Sequence, residues 1–167
     1  QRSHTQIYKK DVEKALLEIE AEKEWKKCKQ ISDEESLSKF IEKYPSTKYA
    51  DEAAYWYNIV VGEKYYDNNR SLALYYLSKA NDYQTLTGIP ALHIKDLKDE
   101  KEIKEILSSN DIQKVEFFFM TLNNDNKYYN QVSNHIANLK AGELNAFSSD
   151  YKMQEALSYA KDDETRT

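Results

Sequence analysis

The three histidines are the first residues whose side chains could define a chemistry, because neutral imidazole is a common metal ligand and a common catalytic base. His4, His93 and His135 lie far apart in the sequence, and none is followed by another histidine or a cysteine three or four residues later. A metal site on one helix needs ligands at that spacing, since residues three or four apart share a helical face. The spacing therefore indicates structural histidines and predicts no metal site.

Cys28 is the single cysteine, so the chain cannot form an internal disulfide. It follows Trp25 at helical spacing within an apolar stripe, where a free cysteine behaves as a small hydrophobic side chain. A cysteine nucleophile would need a base oriented beside it, and nothing in the sequence places a histidine there. We expect Cys28 to be a core residue.

A polar segment from Asn123 to Lys127 resembles the beginning of a calcium-binding loop. Such a loop needs glycine at its sixth position and glutamate at its twelfth, but Tyr128 and Asn134 stand there. The chain also lacks a glycine-rich phosphate loop, a nucleophile elbow and paired zinc ligands. The sequence thus predicts no catalytic residue, no metal and no cofactor, and we expect the protein not to be an enzyme.

Aromatic residues form the one group with functional promise. Seven of them occur in two neighbouring helical segments: Tyr55, Trp56, Tyr57, Tyr65, Tyr66, Tyr75 and Tyr76. The usual width of an apolar helix stripe assigns about four of them to the core, and the remainder can line a concave face that binds peptides or partner helices. We select four candidate partner-binding residues, which lie on or beside one helix and the turn after it: Tyr55, Tyr65, Tyr66 and Asn69.

The charge pattern argues against nucleic acid as a partner. Charged residues make up 32% of the 167 residues and the net charge is −5. Basic pairs such as Lys9-Lys10 and Lys26-Lys27 are interleaved with acidic residues, so no basic stripe forms. The chain begins with Gln1 and shows no signal-peptide pattern, which we interpret as a processed or excised piece of a longer protein.

No apolar run is long enough to enter a membrane as a spanning helix. The best run, Val115–Leu122, is interrupted by Glu116 and falls well short of the roughly 20 residues needed. The wider segment Ile112–Leu122 is apolar almost all round, which predicts a buried helix.

The segment from Thr5 to about Gln30 is rich in Glu, Lys, Ala and Leu and predicts one long helix. Its apolar residues form two stripes rather than one. The first comprises Val12, Ala15, Leu16 and Ile19, and the second comprises Leu17, Ala21, Trp25 and Cys28. We expect the second half of the helix to join the core, and the first half to protrude or to pack on something absent from this chain.

Cap and stop signals define the next helices. Ser32 and Glu35 have the spacing of a capping box, which predicts a helix beginning there. Pro45 ends that helix, because proline disfavours a helical residue before it. Ser46 or Thr47 can then cap the helix that follows.

The segment around the proline resembles the helical repeats of tetratricopeptide-type proteins from bacterial envelopes, which include outer-membrane assembly lipoproteins and cell-division coordinators. Their pattern is an aromatic helix end, Tyr-Pro, Ser or Thr, and then Tyr-Ala-x-x-Ala. It stands here as Phe40, Tyr44-Pro45, Ser46, Tyr49-Ala50 and Ala53. The resemblance covers residues 25–81, about a third of the chain. It implies a bacterial scaffold that binds a protein or peptide partner, in the periplasm or cell envelope or in the cytoplasm, with the envelope slightly favoured.

Two features depart from the family pattern. Pro90 falls inside the expected third repeat, and residues 99–160 lack the small-residue spacing. The C-terminal half is therefore interpreted either as divergent repeats or as an unrelated helical cap.

These patterns predict an all-α protein of seven to nine helices, arranged at least partly as a right-handed stack of antiparallel helix pairs. The expected organisation is a helical connector over 1–24, tetratricopeptide-like repeats over 25–107, a helical cap or divergent repeat over 108–161, and a tail over 162–167. We expect a non-catalytic protein–protein interaction module within a larger protein or assembly. The alternative is a structural spacer or regulatory helical extension of an enzyme or membrane-anchored protein, which apolar surface on residues 5–24 would favour.

Overall fold

The structure, a computed structural model, describes residues 4–144 and 150–160, with side chains from Tyr8 onward. These residues form eight α-helices and no strand, so the all-α prediction is confirmed for the described part of the chain. The helices are α1 (His4–Ile31), α2 (Glu34–Lys43), α3 (Ala50–Tyr65), α4 (Arg70–Tyr83), α5 (Gly88–Leu107), α6 (Ile112–Phe119), α7 (Tyr129–Gly142) and α8 (Asp150–Tyr159). The predicted tail over 162–167 lies outside the described residues.

The described chain divides into two compact units. Unit 1 extends to Lys98 and unit 2 begins at Asp99, so the first part of α5 belongs to unit 1 and the rest to unit 2. None of the described helices combines the length and the apolar character that crossing a membrane requires.

The second half of α1 packs against α2 and α3, as its apolar stripe predicts. Ala21, Trp25 and Cys28 are buried there. The indole of Trp25 lies 5.1 Å from the ring of Phe40, centroid to centroid, and its Nε1 donates a hydrogen bond to Glu52 at 3.0 Å. Burial raises the pKa of the Cys28 thiol, with the Asp33 carboxylate adding to the effect, so the thiol stays protonated as expected of a core residue.

The first half of α1 has an apolar stripe that the described residues leave exposed. Val12, Leu16 and Ile19 are 58%, 61% and 53% exposed. The buried residue Ala21 lies 13 positions after Tyr8 and nine after Val12. At 100° per residue, it is turned by roughly 180–220° around the helix axis from those two residues. The exposed stripe therefore lies on the side of α1 opposite the stripe that joins the core.

Helices α3 and α4 form the closest helix pair of unit 1, and Gly62 makes that approach possible. A Cβ atom at Gly62 would lie 2.7 Å from Leu77 Cγ and 3.2 Å from the Leu77 backbone nitrogen. Leu77, Ala73 and Ala80 are completely buried on the facing side of α4. Small residues on both helices thus bring the tyrosines that flank them close together.

Two predicted helix caps are wrong in detail. Asp33, not Ser32, caps α2 by accepting a hydrogen bond from the Ser36 backbone N–H at 2.7 Å, because Ser32 has φ +50° and donates its hydroxyl back to the Lys29 carbonyl. No side chain among the described residues caps α3. The Thr47 hydroxyl instead donates to the Tyr44 carbonyl at 3.0 Å and stabilises the corner after Pro45.

Pro90 does not interrupt the helix that contains it. It is the third residue of α5, where a backbone N–H would have no partner within the helix. The proline therefore lies in the first turn of a helix of 20 residues and does not end it.

In unit 2, α7 packs against both α6 and α8 around buried Val115, Val132 and Ile136. The predicted burial of the phenylalanine-rich helix on all sides is wrong, because Phe117 and Met120 are 74% and 78% exposed. Helix α6 has only eight residues and makes its close helix contacts with α7. A helix with one packed neighbour buries one face, whatever the composition of the other.

Candidate functional site

A groove of about 570 Å³ lies over α3 in unit 1, where residues 54–58 of that helix line it. Helix α3 packs against both α2 and α4, so these two helices flank the groove and α3 lies at its centre. The lining residues come from all three: Ser38, Ile41 and Glu42 of α2, Ala54, Tyr57 and Asn58 of α3, and Tyr75, Tyr76, Lys79 and Tyr83 of α4. Its volume falls within the usual span of protein ligand sites, roughly 300–1,000 Å³.

Tyr76 organises the aromatic part of the groove. The ring of Tyr75 meets it edge-on at 5.2 Å between centroids, and the ring of Tyr57 does so at 6.3 Å. Tyr75 and Tyr83 are 53% and 49% exposed. Edge-to-face pairs are a preferred geometry for aromatic rings, so ring faces and ring edges alternate along an accessible surface.

The hydroxyl groups of these tyrosines are available to a ligand. Those of Tyr57, Tyr75, Tyr76 and Tyr83 make no hydrogen bond to any residue that the structure describes. Burial raises the pKa of Tyr57, with the neighbouring Tyr76 and Glu34 adding to the effect. The Tyr57 hydroxyl is therefore a neutral hydrogen-bond donor throughout the physiological range.

Asn58 places one polar acceptor at the centre of the groove. Its side chain is 8% exposed, and its Nδ2 donates to the Ala54 carbonyl at 2.6 Å. That bond fixes the orientation of the amide, because the reverse orientation would set two oxygens against each other. Asn58 lines the groove, and its amide oxygen makes no hydrogen bond within the described chain and is not sealed from solvent.

Two opposite charges stand on the two sides of the groove. Glu42 of α2 and Lys79 of α4 form no ion pair with a described residue, although Lys79 Nζ lies 5.7 Å from the ring centroid of Tyr75. Two lysines near the groove are already paired: Lys39 with Glu35 of the same helix, and Lys64 of α3 with Glu34 of α2. The groove therefore presents an acid on one side and a base on the other.

None of the four predicted partner-binding residues lines this groove. Tyr55 is 7% exposed and belongs to the core between α3 and α4. Tyr65 is half-buried and stacks on Tyr76 at 6.5 Å between centroids, so it helps to hold the Tyr76 ring of the groove in place. Asn69 caps α4 by accepting a hydrogen bond from the Leu72 backbone N–H at 3.0 Å.

Tyr66, the fourth predicted residue, belongs to a second cluster in unit 1. Its ring stacks on His93 at 3.6 Å between centroids, and the guanidinium of Arg70 lies 4.6 Å from its centroid. Its hydroxyl donates to Asp96 Oδ2 at 2.8 Å, and Arg70 forms an ion pair with the same carboxylate. His93 Nδ1 in turn lies 2.9 Å from Glu63 Oε2. The cluster joins α3 and α4 to α5.

The remaining chemical candidates have structural positions. His135 Nε2 donates to the Ser109 carbonyl at 2.8 Å, His93 takes part in the cluster just described, and the side chain of His4 lies outside the described part. Across residues 4–144 and 150–160 there is no group of three or more histidine, cysteine, aspartate or glutamate side chains able to hold a metal ion.

Sequence reasoning missed Asn58, Glu42, Lys79 and Tyr83. One signal was available for the first of them: asparagine is a poor helix former, yet Asn58 stands inside an apolar helix next to Tyr57. A polar side chain at such a position is either satisfied locally or serves a ligand. The other three carry no signal in a single sequence, because only the packing of α2 and α4 beside α3 brings them together.

Comparison with known proteins identifies no relative. No protein-family model matches this chain, and neither a curated protein nor a solved structure matches it.

Proposed function

We propose that the protein is a non-catalytic protein–protein interaction module, and that the groove over α3 binds a segment of its partner. The observation that carries this proposal is the set of unsatisfied polar groups on an aromatic surface. Four tyrosine hydroxyls and the Asn58 amide oxygen have no hydrogen-bond partner among the described residues. Tyrosine supplies large contact area together with a polar end, which is why it is enriched at protein interfaces.

The proposed architecture is a tetratricopeptide-like stack of antiparallel helix pairs, and it extends only to the N-terminal repeats. Two observations support it. Consecutive helices α2, α3 and α4 pack on one another, and the Tyr44-Pro45 corner precedes a helix with alanines at positions 50, 53 and 54. Helical repeats commonly present a binding surface on one side of such a stack. The setting we propose is a larger bacterial protein or assembly.

Site-specific cross-linking tests the binding function. The photoreactive residue p-benzoylphenylalanine replaces Tyr75 or Tyr83, the two groove tyrosines that are about half exposed. The full chain is then irradiated in extract from the cells that produce it. We expect both positions to capture the same protein, identified by mass spectrometry.

The matched control places the photoreactive residue at Tyr151, which is 75% exposed and belongs to unit 2. A protein captured equally at all three positions would be a random neighbour and would count against the groove. Capture at positions 75 and 83 alone would locate the interface, and loss of the adduct in an Asn58→Leu background would tie it to the centre of the groove.

A second candidate function, a spacer or helical extension, has its own supporting observation. The exposed apolar stripe of α1 (Tyr8, Val12, Leu16 and Ile19) covers nothing in the described chain. A Val12→Lys/Ile19→Lys double variant, which makes the stripe polar, separates the two proposals in the same extract. If this variant loses associated proteins while a Tyr75→Ala/Tyr83→Ala variant keeps them, the spacer is the better proposal.

A further inference from the structure

The groove also indicates the form in which a partner segment binds. On the basis of the proposed function, we infer that its occupant is an extended segment of the polyproline type. A basic residue of that segment lies beside α2 and an acidic residue lies beside α4.

Asn58 favours an extended occupant over a helical one. Its amide nitrogen is already bonded to Ala54, whereas the amide oxygen of this groove-lining residue is reachable by solvent and has no partner in the described chain. An occupant that covers this oxygen must donate a hydrogen bond to it, because a buried unpaired acceptor costs free energy. The interior of a helix has no free backbone N–H groups, whereas those of a polyproline-type segment have no internal partner.

The openness of the groove favours a segment that is extended before it binds. Tyr75 and Tyr83 are each about half exposed, so the groove covers its occupant only in part. A flexible chain loses much conformational freedom on binding, and a shallow site has little contact with which to offset that loss. A polyproline-type segment has already lost most of this freedom, which is why it binds well to aromatic-lined grooves.

The tyrosines match the two surfaces that such a segment presents. Its backbone carbonyl groups have no internal partner, and the unbonded hydroxyls of Tyr57, Tyr75 and Tyr83 are donors that can reach them. Its compact pyrrolidine rings can pack between the alternating ring faces and edges set by Tyr76.

Charge complementarity sets the direction of the segment. Glu42 on the α2 side and Lys79 on the α4 side have no ionic partner in the described chain. A segment with a base at one end and an acid at the other satisfies both, whereas a segment with two like charges satisfies one and repels the other. The groove therefore distinguishes the two orientations of a bipolar peptide.

Binding of short synthetic peptides to the full chain, measured by fluorescence anisotropy, tests the inference. The probes carry the core Pro-Pro-Ala-Pro-Pro between terminal residues Arg and Asp, Asp and Arg, Arg and Arg, or Asp and Asp. We expect one of the two bipolar peptides to bind about 3-fold or more tightly than both like-charged peptides, as expected for partly exposed ion pairs. Glu42→Lys should move the preference to the peptide with two aspartates.

The hydrogen bond to Asn58 is tested from both partners. Replacing the central alanine of the best peptide by proline removes its N–H and should weaken binding about 3- to 10-fold. In the Asn58→Leu variant the two peptides should bind equally. Because the peptide pair probes the same bond on the unaltered protein, the result stands even if that variant folds poorly.

Three outcomes would overturn the inference: no binding of any peptide, equal binding of all four charge patterns, or equal binding of the alanine and proline cores. If the peptides fail while cross-linking at positions 75 and 83 still captures a common protein, the polyproline-type occupant is wrong and the proposed function stands. If both experiments fail, the groove is not a binding site.

Discussion

The two tyrosine clusters of unit 1 use the same side chain in opposite ways. In the cluster around Tyr66, the hydroxyl donates to Asp96, and the ring is in contact with His93 and Arg70. In the groove, the rings of Tyr57 and Tyr75 each meet the ring of Tyr76, but the hydroxyls of the three bond to no described residue. The first cluster joins three helices, and the second leaves its hydroxyls unbonded within the described chain.

The difference shows how to separate structural tyrosines from candidate binding residues in a tyrosine-rich helical protein. A tyrosine whose hydroxyl and ring both have partners in the chain has nothing left to offer a ligand. A tyrosine with a supported ring and an unpaired hydroxyl is held in place and still available. Substitutions in the Tyr66 cluster should therefore change stability, and substitutions in the groove should change binding.

The largest expected effect is that of Tyr66→Ala. The change removes the stack on His93, the hydrogen bond to Asp96 and the contact with Arg70. Because Tyr66 is half-buried, we expect the free energy of unfolding in urea to fall by about 2–3 kcal/mol, below the cost of a fully buried aromatic residue. The matched control is Tyr75→Ala, which should change the free energy of unfolding by no more than ~0.5 kcal/mol. Equal losses in the two variants would remove the distinction between the clusters.

Gly62→Ala should be the next most damaging change, because both clusters depend on the close approach of α3 and α4. The added Cβ would lie 2.7 Å from Leu77 Cγ, and Leu77 is completely buried. Overpacking of this kind costs about 1–3 kcal/mol, while alanine recovers up to ~1 kcal/mol of helix propensity. We expect a net loss of about 1–2 kcal/mol by urea denaturation.

The control for Gly62 is Gly142→Ala at the end of α7. No atom lies within 4 Å of the Cβ that this change would add, so the variant should be neutral or slightly more stable. A stabilising effect at both positions would show that α3 and α4 are farther apart than described.

Tyr66→Phe separates the hydroxyl from the ring and should cost about 1 kcal/mol, the usual net value of one hydrogen bond. The loss is modest because Asp96 keeps its ion pair with Arg70 and is not left unpaired. The matched control is Tyr76→Phe. The Tyr76 hydroxyl has no partner in the described chain, so its removal should leave the free energy of unfolding unchanged. A destabilised Tyr76→Phe variant would mean that the groove hydroxyls already have partners.

The local features of the fold could be predicted from the sequence. The long N-terminal helix, its change of apolar face and the corner after Pro45 all depend on residues a few positions apart. So does the turn at Asn69, which caps the helix that follows. Propensity and periodicity act over that range, so the pattern contains what decides these helices. The choice of the capping residue is finer, because the positive φ of Ser32 leaves Asp33 to cap α2.

The candidate site could be predicted only in part, because its partners are distant in the chain. Glu42 of α2 and Lys79 of α4 are 37 positions apart in the sequence, yet both line the groove, and no pattern in one sequence shows that they come together. Neighbouring aromatic residues pose the same difficulty. Tyr55 is buried and Trp56 is 39% exposed, and a rotation of roughly 100° per residue decides between them.

The smallest expected effect concerns the pH dependence that Tyr57 contributes. Burial raises the pKa of its hydroxyl in the folded protein, and the neighbouring Tyr76 and Glu34 act in the same direction. Between the tyrosine pKa of the unfolded chain, about 10, and the higher folded value, the unfolded state has released this proton and the folded state has not. Folding stability from this group is therefore complete below pH 10 and declines as the pH rises above it.

Tyr57→Phe should abolish that part of the decline, so the melting temperature of the variant should fall less than that of the wild type between pH 9 and pH 11. Tyr151→Phe, which removes an exposed hydroxyl from unit 2, is the control for the loss of one phenol. If the melting temperatures of the two variants fall in parallel as the pH rises, the Tyr57 hydroxyl is as well hydrated as one on the open surface. The groove would then lack the partly dry centre that distinguishes a binding site from a row of surface tyrosines.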